Sequence, residues 1–485
     1  LIAGQKLVVD NGVVQLNLPP LGSAVLYFHA DKSLGAVPVP GSGVLCHVSS
    51  LPEALDETGA VEGEQGCLGA SARRFCDWLA QAHQTYWQVL PVNPTDEFGS
   101  PYAGISAFAN NVKFISARER AQYERAGFSQ KDYHEFVDKN ASWLIPYSYF
   151  MALKYDQKGV LWRDWPENLR TYDQKTIADY LAQRPHLSQV AKTIRRDQFE
   201  FERQWNALHS YANERGIHII GDIPLYISGD SADVWMHQDL FALDTLGNPA
   251  LVAGVPSDAF SSEGQRWGNP VYNWDAMRAT GYEWWLERLA RSFELYDYVR
   301  LDHFIGFCSY YAIPQDLPIQ AGHWCLGPGR ELFQKAYERF GNLPVIAEDL
   351  GMVTPAVRAL MASCGFYGME VSLFSDYFSQ DGWYVPAHKV AYTTTHDTQT
   401  LVGWCEDHFG KQDAGARAQE MLTLAEGSNA SLVIVQLQDV LGLDDTHRMN
   451  IPGSTQHNWQ WVCSWDQLDA SCATLRALTE KFGRA

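Results

Sequence analysis

The sequence lacks several features that would place a protein in a functional class at once. No stretch approaches 18 consecutive apolar residues, so no transmembrane helix is predicted. Lys plus Arg number 37 against 57 Asp plus Glu, and this formal charge of -20 excludes the basic surface of a nucleic-acid-binding protein. The first 25 residues show no basic segment followed by an apolar run, so no signal peptide is predicted. A soluble, cytoplasmic protein is expected, with neither nucleic acid nor membrane as partner.

Metal-binding and disulfide patterns are also missing. The nine Cys residues lie singly along the chain and form no Cys-x-x-Cys pair. The histidines show no His-x-His or His-Glu-x-x-His spacing. We therefore predict free thiols in a reducing compartment and neither a metal ion nor another cofactor.

Aromatic residues, in contrast, are abundant. Phe, Trp and Tyr make up 13% of the chain, with 17 Trp among them. Such rings can fill a large core, or they can line a groove for ligands with flat apolar faces such as sugars. Composition alone favours neither interpretation.

Residues 1–36 read as short alternating strands, which cannot bury a core of their own. The run Leu-Pro-Pro-Leu-Gly-Ser-Ala-Val-Leu at 18–26 resembles the end of the C-terminal β-sandwich of α-amylase-family enzymes. This resemblance implies a partial β segment, and as a hypothesis an α-amylase-like enzyme covalently fused upstream. The Gly- and Pro-rich residues 37–43 are predicted to be a linker.

From residue 44 onward, apolar runs that end in polar residues alternate with helical segments. Eight buried parallel strands separated by helices are typical of a (β/α)8 TIM barrel, whose active site lies at the carboxyl ends of the strands. The sequence therefore predicts an α/β barrel over 44–485. The candidate strands are Val44–Val48, Tyr86–Leu90, His218–Ile223, Tyr298–Leu301, Val345–Ala347, Met369–Phe374, Val390–Thr395 and Leu432–Leu437.

Two insertions are predicted within the barrel. The interval between the second and third strands is too long for one crossover helix, and its helix-like segments indicate a helical subdomain over about 112–215. A second, irregular insertion over 241–272 is rich in Gly and Pro, and loops of this length are usually lids or binding loops.

Acidic residues follow four of the predicted strands. They are Asp222, Asp302, the pair Glu348-Asp349, and Asp397 after His396. Because strand ends meet at one mouth of a barrel, these side chains are expected to converge although they are far apart in sequence. Crowded carboxylates repel one another, so their convergence points to a use in chemistry.

Two kinds of chemistry fit such a cluster. Carboxylates and histidines on barrel strands can hold a divalent cation. Alternatively, Arg300 precedes Asp302 by two positions on one strand and can keep that carboxylate ionised. An ionised carboxylate beside a second carboxyl with a raised pKa is what retaining glycoside chemistry requires.

Ordered sequence blocks carry a family resemblance over about residues 42–485. The blocks include Val299-Arg300-Leu301-Asp302-His303-Phe304, Ala347-Glu348-Asp349-Leu350-Gly351, Thr395-His396-Asp397-Thr398, Gly221-Asp222-Ile223-Pro224 and Gly264-Gln265-Arg266-Trp267-Gly268-Asn269-Pro270. They resemble those of the 4-α-glucanotransferases, that is, amylomaltase or disproportionating enzyme of glycoside hydrolase family 77. The resemblance implies a TIM barrel with inserted subdomains that transfers α-1,4-glucan segments to the 4-hydroxyl of another glucan or of glucose.

The resemblance also implies roles for individual residues. Asp302 resembles the nucleophile, Glu348 the general acid/base and Asp397 a third acid that binds the distorted sugar. Arg300 would orient Asp302, while His396 and Asp222 would hydrogen-bond the donor sugar. Tyr102 resembles the aromatic residue under that sugar, and Asp258 and Trp267 belong to a loop resembling one that closes over the acceptor side.

Three other hypotheses remain at this point. An α-amylase-like retaining hydrolase would use the same acids but water as acceptor. A non-catalytic glucan-binding barrel would keep the groove without the chemistry, although both Asp302 and Glu348 are present. A metal-dependent barrel enzyme is the third. The expected partners are α-1,4-glucans and maltooligosaccharides.

Overall fold

The computed structural model describes residues 34–56, 58–257, 264–376, 378–379, 382–454 and 456–485. Most of the β segment predicted at 1–36 lies outside the described residues, so its resemblance stays a prediction. Within the described part of the chain, no helix is long and apolar enough to cross a membrane.

All eight predicted barrel strands form one parallel sheet, which confirms the (β/α)8 class. The strands are β1 Gly41–Leu45, β2 Tyr86–Gln88, β3 His218–Ile223, β4 Tyr298–Leu301, β5 Val345–Ala347, β6 Gly368–Val371, β7 Lys389–Tyr392 and β8 Leu432–Gln436. Neighbours in the sheet follow the order β5-β4-β3-β2-β1-β8-β7-β6. A parallel bridge between Ile346 and Tyr367 joins the two ends and closes the barrel.

Strand β1 begins at Gly41, three residues before the predicted start and inside the predicted linker. All five of its residues are buried. A Cβ atom at Gly41 would lie 2.2 Å from Thr85 Oγ1, and one at Gly43 would lie 2.4 Å from the Cβ of Tyr86. The glycines therefore allow β1 to pack tightly against its neighbour, and do not make this segment flexible.

Helices occupy most of 117–213, within the predicted 112–215 insertion. Side-chain oxygens cap several of them: Ser116 accepts from the amide of Glu119, and Asp173 accepts from the amide of Thr176. The helices here are Ala117–Gly127, Gln130–Lys139, Ala141–Asp156, Glu167–Arg170, Gln174–Ala182 and Pro185–Asn213.

The remaining helices surround the barrel or pack on its loops. They are Ala70–Gln81, Ala232–Met236, Trp274–Ala279, Glu283–Leu295, Ile305–Cys308, Arg330–Phe340, Pro355–Cys364, Leu401–Phe409, Lys411–Glu426, Leu437–Val440 and Trp465–Lys481.

A four-stranded antiparallel sheet stands beside the barrel mouth. Its order is His323–Leu326, Ser309–Pro314, Leu251–Val255 and Gln265–Pro270. The last two strands fall within the 241–272 insertion, so part of that predicted irregular loop is regular structure. Two short antiparallel pairs complete the described strands: Ala54–Leu55 with Val61–Gly63, and Phe378–Ser379 with Gly382–Trp383.

Most of the large rings fill the core. Trp87, Trp162, Trp165, Trp205, Trp235 and Trp285 are fully buried. Three other tryptophans, Trp267, Trp324 and Trp459, line a cleft at the barrel mouth. The rings therefore form two sets, one that fills the core and one that lines the cleft.

Candidate active site

A cleft of about 700 Å³ lies at the carboxyl ends of the barrel strands. Its volume is within the range of about 300–1,000 Å³ that accommodates a ligand larger than one sugar ring. The cleft brings together six of the predicted site residues: Tyr102, Trp267, Arg300, Asp302, Glu348 and Asp397.

Arg300 links two of the acids. Asp222 and Arg300 are paired across β3 and β4, and the guanidinium donates to both carboxylate oxygens of Asp222 at 2.8 and 2.9 Å. The same nitrogen lies 3.0 Å from Oδ1 of Asp302. Although burial opposes its charge, these two carboxylates raise the pKa of Arg300. A permanent cation therefore stands beside Asp302.

Glu348 is held by backbone amides on both of its oxygens. The amide of His303 donates to Oε2 and that of Leu350 to Oε1, each at 2.7 Å. His303 has a φ of +47°, a left-handed backbone unusual for a residue other than glycine, and this turn directs its N–H at Glu348. Burial raises the pKa of Glu348 to about 7, an effect that Arg300 opposes and Asp302 strengthens.

Asp397 is the most exposed of the three acids, with 43% of its side chain accessible. The Asn450 amide donates to Oδ1 at 2.6 Å, and His396 Nε2 lies 3.2 Å from Oδ2. Burial acts to raise the pKa of Asp397, but His396 and Asn450 outweigh it and lower the pKa below its usual value. An ionised carboxylate therefore faces the cleft at a fixed position.

Asp222 and His396 lie beneath the cleft surface and not at it. Both are buried. The hydroxyl of Tyr102 donates to Asp222 at 2.7 Å, and the Tyr102 ring stacks on His396 with centroids 5.2 Å apart. Trp459 packs against both rings. The structure thus places Asp222 and His396 where they support Tyr102, Arg300 and Asp397.

The loop predicted to close over the acceptor side is described in part. Asp258 lies outside the described residues, so its predicted role stays a prediction. Trp267 is present on the Gln265–Pro270 strand, and its ring meets the edge of His303 at 4.8 Å between centroids.

Several cleft residues were not predicted from the sequence. Phe98, Trp324, Met352 and Phe374 line the cleft and are substantially exposed. The Asn450 side chain and the amides of His303 and Leu350 hold two of the acids. Backbone donors cannot be predicted from the sequence, because every residue except proline has a backbone N–H. An exposed aromatic residue can be assigned to the cleft only after the barrel and its mouth are known.

Loss of Arg300 is expected to destabilise the fold. Arg300→Ala leaves the buried Asp222 carboxylate without its counter-ion and should lower the free energy of unfolding by about 3–5 kcal/mol, measured by urea denaturation. Arg278→Ala, which breaks exposed ion pairs with Asp275 and Glu331, should cost about 0–1 kcal/mol. Equal losses in the two variants would contradict a stabilising role for the Arg300–Asp222 pair.

Comparison with known proteins identifies the family. The family model described as 4-alpha-glucanotransferase matches residues 46–128 and 117–467. The chain belongs to this family. A 4-alpha-glucanotransferase of Thermus thermophilus is 37% identical over 503 residues, covering 91% of this chain and 98% of that protein. One from Streptococcus pneumoniae serotype 4 is 35% identical over 484 residues, covering 88% of this chain and 94% of that protein.

A solved structure supports the same conclusion. The amylomaltase from Streptococcus agalactiae in complex with acarbose superposes with a TM-score of 0.81 at 30% identity, covering 92% of this chain and 100% of that one. The predicted family, fold class and enzyme class are thereby confirmed: this chain is an enzyme of the 4-alpha-glucanotransferase family.

Within the described ranges, no group of three or more His, Cys, Asp or Glu side chains is arranged to hold a metal ion. The acids instead have protein partners, namely Arg300 for Asp302, backbone amides for Glu348, and Asn450 with His396 for Asp397.

Proposed function

We propose that this chain transfers α-1,4-glucan segments by a retaining double displacement, with Asp302 as nucleophile, Glu348 as general acid/base and Asp397 as a third, sugar-binding acid. One observation carries the proposal. Asp302, 3.0 Å from the Arg300 guanidinium, and a buried Glu348 with a raised pKa share one cleft. Retaining glycoside chemistry needs one carboxyl as nucleophile and a second with a raised pKa as acid/base.

Asp302 and Glu348 stand on neighbouring strands. Leu301 pairs with Ala347, so each acid lies one residue beyond a paired position on β4 and β5. Adjacent strands are about 4.8 Å apart. This placement suits the roughly 5–5.5 Å separation of carboxyl groups in retaining enzymes better than the 6.5–9.5 Å of inverting ones.

In the first step, a carboxylate oxygen of Asp302 bonds to the anomeric carbon as the bond from that carbon to the glycosidic oxygen breaks. Glu348 gives its proton to the departing oxygen, so one glucan segment leaves with a free 4-hydroxyl. In the second step, the Glu348 carboxylate takes the proton from the 4-hydroxyl of an acceptor. That oxygen bonds to the anomeric carbon, and the ester to Asp302 breaks, which restores the original configuration.

The remaining predicted site residues fit supporting roles. Asp397, fixed by Asn450 and His396, would accept hydrogen bonds from the hydroxyls of the reacting sugar. Tyr102 would provide an apolar ring face beneath that sugar, and its hydroxyl is anchored on Asp222. Asp222 and His396 would act by positioning these groups, because both are buried below them.

Transfer instead of hydrolysis requires that a sugar compete successfully with water for the ester. The aromatic residues around the acids, Trp267 and Trp459 among them, give the cleft apolar surface for a bound acceptor. We propose α-1,4-glucans and maltooligosaccharides as the substrates. We also propose a cytoplasmic location, because the nine cysteines are free and thiols stay reduced in the cytoplasm. The fused upstream enzyme remains a hypothesis on residues outside the described part.

Maltotriose distinguishes transfer from hydrolysis. Incubation with the enzyme should yield glucose and longer maltooligosaccharides without a rise in total reducing ends. Chromatography identifies the products, and a reducing-sugar assay measures the reducing ends. The same product pattern is expected in excess EDTA, because the acids are held by protein groups. A steady rise in reducing ends would instead identify a hydrolase, and loss of activity in EDTA would support the metal-dependent alternative.

A further inference from the structure

The barrel has its shortest strand pairing beside the proposed acid/base. The sheet ends at β5 and β6, and in the described part of the chain a single bridge, between Ile346 and Tyr367, pairs these two strands. Glu348 follows β5 directly, so it stands at this seam between β5 and β6. We propose that Lys389 and Asp349 form a clamp across the seam that positions Glu348 for proton transfer. This inference rests on the proposed transferase function.

Three side-chain hydrogen bonds form the clamp. Oδ1 of Asp349 accepts from the backbone amide of Met369 on β6 at 2.8 Å. Nζ of Lys389, the first residue of β7, donates to Oδ2 of Asp349 and to the Met369 carbonyl, the latter at 2.9 Å. Asp349 is thus bonded to β6 directly and to β7 through Lys389. A Cβ atom at Gly368 would lie 2.5 Å from Oδ1 of Asp349, so the glycine gives this carboxylate its room.

The backbone of Glu348 is held only toward β4 by its own hydrogen bonds among the described contacts. Its amide donates to the Leu301 carbonyl and its carbonyl accepts from the Phe304 amide, each at 2.9 Å. The peptide between Asp349 and Leu350 carries the N–H that donates to Oε1 of Glu348. From Glu348 to the start of the next helix, the chain forms neither helix nor strand. The Asp349 side chain therefore anchors this peptide toward β6, where regular structure does not.

The ion pair of the clamp is shielded from water. The Asp349 side chain is 3% exposed and the Lys389 side chain 20%. Burial raises the pKa of Asp349, although the Lys389 cation opposes the shift. Without Lys389, a buried carboxylate would lose its counter-ion, a state that costs far more than the loss of an exposed pair. Loss of this cation is therefore expected to displace Asp349, the peptide that follows it, and Glu348 with them.

The leaving group of the donor tests this inference. Lys389→Met keeps most of the side-chain volume but removes the cation. With maltotriose, kcat/KM should fall about 10- to 100-fold, because a displaced acid loses the alignment that proton transfer needs. With α-maltosyl fluoride, first-turnover release of fluoride should stay within about threefold of the parent rate, because fluoride leaves without protonation. Equal losses with both donors, or no loss with maltotriose, would overturn the inference.

Lys154→Met provides the matched control. On helix Ala141–Asp156, Nζ of Lys154 donates to Asp230 and to two backbone carbonyls at 3.0 and 3.2 Å, and the exposed fractions of this pair are 16% and 19%. Its rates with both donors should match those of the parent. Asp349→Asn weakens the clamp without leaving a buried carboxylate unpaired. It should show the same dependence on the donor, so the test holds even where Lys389→Met is too unstable to assay.

Hydrogen exchange followed by mass spectrometry separates this inference from the proposed reaction. The Leu350 amide should exchange about tenfold faster in Lys389→Met than in the parent, because its hydrogen bond to Glu348 is weakened. Lys154→Met should leave this rate unchanged. Equal exchange of Leu350 in Lys389→Met and the parent refutes the clamp. Absence of transfer by the parent enzyme, together with faster exchange in Lys389→Met, would instead refute the proposed function alone.

Discussion

Asp302→Asn is expected to reduce glucan transfer by about 10⁴-fold or more, because the amide cannot form the ester on which both steps depend. Arg300 lies 3.0 Å from the Asp302 carboxylate in the parent enzyme. The neutral amide removes the nucleophile with little change in side-chain volume. Maltotriose disproportionation, followed as initial rates, measures the loss.

Glucan binding should survive in Asp302→Asn, since Tyr102, Asp397 and the aromatic residues of the cleft are unchanged. Calorimetric titration with maltoheptaose checks this separately from the rate. Asp275→Asn is the matched control, because the Asp275 side chain is 93% exposed and pairs only with Arg278 among its described contacts. Near-full activity of Asp302→Asn would show that another group is the nucleophile.

The barrel could be predicted because each of its strands is a short apolar run that ends in a polar residue. A strand buried on both faces needs a continuous apolar run, as in Val345–Ala347, and a polar residue follows where the strand reaches the mouth. The convergence of Asp302, Glu348 and Asp397 then follows from the topology alone. Strand β1 was placed three residues late because Gly41 and Gly43 resemble a linker until the tight packing against Thr85 and Tyr86 is seen.

The details of the site depend on three-dimensional facts that the sequence does not contain. The predicted hydrogen bond from Asp222 to sugar stays a prediction, and the sequence does not show that its buried carboxylate accepts from Arg300 and Tyr102. The support of Glu348 comes from two backbone amides, and side-chain patterns carry no information about these. Trp324 is one of 17 tryptophans in the sequence, and only its exposure in the folded chain distinguishes it from those in the core.

Glu348→Gln is expected to lower kcat/KM for maltotriose by about 10²–10⁴-fold, the usual contribution of a general acid. The glutamine oxygen can still accept one of the two backbone amides, from His303 or from Leu350, but the side chain has no acidic proton to give to the departing sugar. An α-maltosyl fluoride donor should recover the first step, because fluoride leaves without protonation. Glu283→Gln, an exposed acid paired with Arg339, should have no effect. Equal losses with both donors would contradict the acid role.

The pH dependence of the parent enzyme tests the same assignment. Burial raises the pKa of Glu348 to about 7, so about half of the enzyme carries the proton at that pH. The first step needs the protonated form, and kcat/KM for maltotriose should therefore fall about tenfold per pH unit above about 7. Because fluoride needs no proton, the fluoride donor should not show this decline. A maltotriose profile that stays flat to pH 9 would mean that Glu348 does not supply the proton.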